Sequence, residues 1–127
     1  MKEYTALSVK QPWAGLIAAG CKTIETRTWK TDYRGLLIVC SSKAVDIDAL
    51  QAVKHELPGV PVEAFKTVGM ALCTARLVDC RPMTVLDEKA ACCRIYPRAV
   101  AWVLEDVRPL PLHRRVRGQL GLFKVQL

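Results

Sequence analysis

Pro12 and Gly20 bracket a short apolar segment, "PWAGLIAAG", and that bracket dictates how the N-terminal part of the chain is built. Proline suits the first turn of a helix because its missing N–H would have no partner there. Glycine suits the stop, where a left-handed residue is needed. The pair predicts a helix of about two turns. Before it, "YTALSV" reads as a strand; after it, "KTIETRTW" is β-branched and alternating, a second strand. "DYRG" then reads as a turn and "LLIVCSS" as a buried strand, so the two runs flanking the turn are expected to form a hairpin.

The rest of the chain continues this mixture. Val45, Ile47, Leu50, Val53 and Leu57 recur at helical spacing, with Asp46 or Asp48 near the start and Pro58-Gly59 at the stop. "GVPVEAFK" reads as a loop, and "TVGMALCTARLVDC" as one bent strand or two short ones with a bulge at Gly69. "TVLDEKAACCRIY" reads as a short helix, and "AVAWVLEDVRPL" and "QLGLFKVQL" as closing strands. With 127 residues there is room for one core, so residues 1–127 are expected to form a single α+β domain. A mostly antiparallel sheet curled into a β-barrel with flanking helices fits this order.

No segment offers the roughly 18 to 20 apolar residues a bilayer crossing requires, and the N-terminus lacks a signal pattern. A cytoplasmic protein without a membrane partner is the expectation. Most of the six cysteines sit in apolar runs and are read as small hydrophobes, and the vicinal Cys92-Cys93 pair as structural. His55 and His113 lie far from each other and from any Cys pair, so neither a metal site nor a cofactor is expected. Residues 1–63 carry 8 basic and 7 acidic side chains, residues 64–127 carry 11 and 5, and the net charge is +7. Such asymmetry points to a polyanionic partner, because phosphate contacts release counterions. Its densest cluster, Arg114, Arg115 and Arg117 in "HRRVRG", is either a solvated loop or a phosphate-contacting arm.

The second strand carries the most unusual chemistry. Side chains alternate along a strand, so Glu25, Arg27 and Trp29 share one face. Lys22 precedes regular alternation and can still turn toward Glu25. A lysine beside a glutamate is either an exposed ion pair or part of a ligand site, and spacing alone does not decide. Gly20, Lys22, Glu25 and Arg27 spell G-x-K-x-x-E-x-R, and "LSVKQPWAGLIAAGCKTIETRTWKTDYRGLLIVCSSK" resembles the opening of an ASCH domain, the activating signal cointegrator homology module. "GMALCTARLVDCRPM", "AWVLEDVRPLPL" and "RGQLGLFKV" are similar to later strands of that family, so the resemblance covers nearly the whole chain.

The resemblance implies a PUA-like barrel with a cleft beside the first helix, and a role in binding RNA, other nucleic acid or a nucleoside-like small molecule. Lys22 and Arg27 would meet phosphate or a base edge, and Glu25 would accept from an amine or hold Arg27. Trp13, Trp29 or Tyr33 could stack a base; Trp29 and Tyr33 are the better candidates, whereas Trp13 reads as core before stacking platform and Trp102 as core. Arg34, Ser41, Lys43 and the Arg114, Arg115, Arg117 cluster would add donors. Some family members resemble amidohydrolases using a lysine and a threonine three residues on. Here Lys22 is kept but Glu25 occupies the threonine position, and a carboxylate there would have to form an anhydride rather than an ester in the acyl step. A ribonuclease reading would assign Lys22 to charge stabilisation and Glu25 to general base, with no histidine nearby for the second proton transfer. An adaptor role for protein partners is the third alternative.

Overall fold

The computed structural model describes residues 1–56 and 62–127. The first strand, β1 (Glu3–Gln11), leads through Pro12 into α1 (Trp13–Ala18), which stops at Gly20 with φ +81°. The next strands are β2 (Ile24–Arg27) and β3 (Gly35–Val45), followed by α2 (Ile47–Glu56) and a 3-10 turn at Val62–Phe65. Then come β4 (Met70–Pro82), a 3-10 turn at Val85–Asp87, α3 (Glu88–Ala91), β5 (Val100–Pro109) and β6 (Leu122–Gln126). Leu57 and the expected stop at Pro58-Gly59 lie outside the described residues. Asp46 caps α2, accepting from the Ala49 N–H at 3.0 Å. Gly69 is no bulge: it sits at φ +67° just before β4, and the irregularities fall downstream, between Thr74 and Arg76 and between Leu77 and Asp79.

The strands form one six-stranded sheet in the order β2-β5-β4-β3-β1-β6. β1 and β3 run parallel; the other neighbouring pairs are antiparallel. Two expectations need correcting. The β2–β3 hairpin does not form, because β2 pairs with β5 while β3 lies between β1 and β4. Residues 28–34 make a longer connection than the two to five residues of ordinary hairpin loops, and the apolar β3 takes an interior position with a partner on each edge. Nor is the sheet a closed barrel, since β2 and β6 are unpaired with each other.

The core lies between α1 and the sheet and includes Leu7, Val9, Ile17, Leu37, Val39 and Trp102, all buried. The indole N–H of Trp102 donates to the Trp29 carbonyl at 3.2 Å. Gly15 lets α1 settle on the 3-10 turn after α2: a Cβ there would lie 2.8 Å from Phe65 Cδ1 and still closer to the Ala64 carbonyl oxygen. All six cysteines are free, and burial pushes the Cys40 and Cys73 thiols up to about 12, as befits side chains that act as small hydrophobes. Among the described residues, no helix is long and apolar enough to cross a membrane.

Candidate functional site

The end of α1 builds the site. Beyond the left-handed Gly20, the N–H groups of Cys21 and Lys22 both return to the Leu16 carbonyl, at 3.0 and 3.1 Å. Thr23 N–H reaches the Ala90 carbonyl at 2.9 Å, tying this turn to α3. Lys22 is thereby driven inward and is only 1% exposed. Its ammonium donates to the Ala91 carbonyl, lies 5.0 Å from the Trp13 ring centroid and 3.6 Å from Glu25 Oε1. A buried ammonium is tolerable only with such compensation, here one carboxylate, one carbonyl and an aromatic face. Glu25 Oε1 also accepts from the Thr26 N–H at 3.0 Å, and Oε2 lies 3.1 Å from Arg27 Nη2. Arg27 Nη2 donates in turn to the Ser8 carbonyl on β1 at 2.8 Å, while Arg27 Nε is buried without a hydrogen-bond partner. The result is a row of cation, carboxylate and cation.

This row lines a cleft of about 850 Å³, within the range typical of ligand sites. Among the described residues, five cations face it, Lys10, Lys22, Arg27, Lys43 and Arg117, against the carboxylates Glu25 and Asp46. Both carboxylates are engaged, Glu25 by its two cations and Asp46 by the α2 cap. Lys10, Lys43 and Arg117 are exposed, and among the described residues their side chains have no partner. The family model for the ASCH domain matches residues 7–113, most of the chain. The chain belongs to the ASCH domain family.

Its relatives include Activating signal cointegrator 1 of Homo sapiens, 36% identical over 80 residues, which are 58% of this chain and 14% of that protein. The Mus musculus protein of the same name is 35% identical over 89 residues, 65% of this chain and 15% of its own. This ASCH chain therefore spans a small fraction of the length of the curated relatives it matches. In fold it is similar to the crystal structure of ASCH from Zymomonas mobilis, with a TM-score of 0.61 and 13% identity over 96% of this chain and 87% of that one.

In this ASCH domain the residues singled out from sequence divide. Lys22, Glu25, Arg27, Ser41, Lys43 and Arg117 line the cleft. Trp29, Tyr33 and Arg34 do not: Trp29 packs edge-on against Trp102 at 4.7 Å, the Tyr33 hydroxyl donates to the Leu36 carbonyl, and Arg34 donates to the Thr31 and Tyr33 carbonyls. Arg114 and Arg115 lie outside the lining, exposed on the segment that ends in Arg117. Ser8, Lys10 and Tyr96 line the cleft without having been singled out from sequence, and Trp13, ranked as core ahead of stacking, both packs on the core and lines the cleft. The Lys10-Gln11-Pro12-Trp13 run was the available signal for two of them: a cation and an aromatic on either side of a strand-to-helix turn. Tyr96 had none, since only tertiary packing brings it to β2.

Proposed function

We propose that the cleft binds RNA, other single-stranded nucleic acid or a nucleotide-like ligand. The observation that carries this reading is the charge of the lining: among the described residues, five cations against two carboxylates, with both carboxylates already engaged inside the protein. The surplus positive field of Lys10, Lys43 and Arg117 suits phosphate oxygens. Trp13 and Tyr96 add aromatic surface for a base, and Thr26, Ser41 and Ser42 add hydroxyls. In this reading Lys22, Glu25 and Arg27 form the fixed floor, with Glu25 orienting its two cations.

A catalytic role for Lys22 and Glu25 has less support. Lys22 is 1% exposed and both oxygens of Glu25 are engaged inside the protein, so a substrate would have to displace these contacts to use either group.

Fluorescence polarisation with a labelled single-stranded octaribonucleotide tests the proposal. Lys43→Ala and Arg117→Ala, both at exposed positions, each weaken binding several-fold and lower the slope of log affinity against log salt by about 0.7, with the melting temperature unchanged. Absent binding, or binding indifferent to salt, would refute it.

A further inference from the structure

The cleft opens on a seam in the sheet. β2 begins the strand order and β1 stands fifth, yet Arg27 on β2 donates to the Ser8 carbonyl on β1 at 2.8 Å. The sheet therefore curls until these two strands meet through a side chain. Each wall of the seam continues into an arginine-bearing segment. On the β2 side, Cys93 Sγ lies 3.9 Å from Thr26 Oγ1 and Tyr96 lines the cleft, with Arg94 and Arg98 exposed on the same stretch. On the β1 side, Gly118 packs so closely that a Cβ there would lie 3.0 Å from Ser8 Oγ, and Arg114 and Arg115 stand exposed just before it. Among the described residues, none of these four arginine side chains has a hydrogen-bond or ion-pair partner.

We propose that the ligand is a single-stranded polynucleotide crossing the seam, one unpaired nucleoside in the cleft and its neighbouring phosphates on the two arginine segments. This rests on the reading of the cleft as a nucleic-acid site. A free nucleotide would enter the cleft yet leave Arg94, Arg98, Arg114 and Arg115 unused, since none of them lines it. A duplex keeps its bases stacked and paired, out of reach of Trp13 and Tyr96, unless one is extruded at a cost. Leu120, 99% exposed at the cleft edge, is an apolar side chain available to a base or sugar face.

The test compares a fluorescein-labelled octaribonucleotide with AMP and with a blunt duplex of the same sequence as competitors. The single strand is expected to bind at least about tenfold tighter than either, over AMP because it adds phosphate contacts on the arginine segments and over the duplex because a paired base does not reach the cleft. The paired variants Arg94→Gln with Arg98→Gln, and Arg114→Gln with Arg115→Gln, each lower the octamer salt slope by about 1.4 and leave AMP competition unchanged. AMP binding as tightly as the octamer, or arm variants without effect on it, would overturn this proposal and leave a nucleotide site standing. Duplex binding as tight as the single strand would overturn it too, and no binding by any probe would remove the cleft reading with it.

Discussion

Glu25 is shared by two cations of unequal burial, and that inequality decides what its loss does. Lys22 is 1% exposed, whereas the Arg27 side chain is 24% exposed and keeps contact with water. Glu25→Gln keeps the shape and an acceptor oxygen but removes the charge that offsets the buried ammonium. The expected cost is about 3 kcal/mol in a urea unfolding experiment; unchanged stability would mean that the Ala91 carbonyl and the Trp13 face suffice. At this scale much was legible. Strand alternation placed Glu25 and Arg27 together, and the position of Lys22 just past the helix stop allowed its turn inward. Trp29 was not legible, because its partner Trp102 lies 73 residues away and no local pattern announces that contact.

The connection from β4 leads into α3, whose last residue Ala91 carries the carbonyl on which Lys22 is seated, and Asp87 holds that connection in place. Arg81 donates to its two oxygens at 2.8 and 2.9 Å, and the Thr84 N–H donates at 2.8 Å. The Arg81 hydrogen bonds first, then that of Thr84, lower the Asp87 pKa from an ordinary 3.8 to about 2. A carboxyl depressed in the folded state stabilises it above the unfolded pKa, and that contribution disappears as the pH falls through the folded one. Arg81 is itself 39% exposed, so screening holds the contribution to about 1 to 2 kcal/mol. Thermal melts should show Asp87→Asn less stable than the natural protein at pH 5 to 7, the gap closing between pH 3.8 and 2. A gap that stays constant down to pH 2.5 would rule the pairing out as its source. Read as one short helix, this stretch is instead a 3-10 turn followed by a single α turn that ends at Cys92, with φ +56°. The Arg81–Asp87 anchor that shapes it joins a strand residue to a turn residue, which helical propensity does not register.

For the whole molecule, composition foretold more than topology. The basic excess of residues 64–127 reappears as the arginines of the two segments beside the seam, whereas the expected barrel became an open sheet whose end strand β2 reaches β1 only through Arg27. Strand order depends on which edges find partners across the whole chain, and alternation within one strand carries no information about that. Nucleic acid is proposed to lie along this seam. The most direct test is a 15N amide titration with a short single-stranded RNA. Shifts are expected to gather at Lys10, Thr26, Lys43, Tyr96 and Arg117 to Gly121, residues that line the cleft. Shifts confined to the small apolar hollow at Gly15, Ala64 and His113, or none at the cleft, would contradict it.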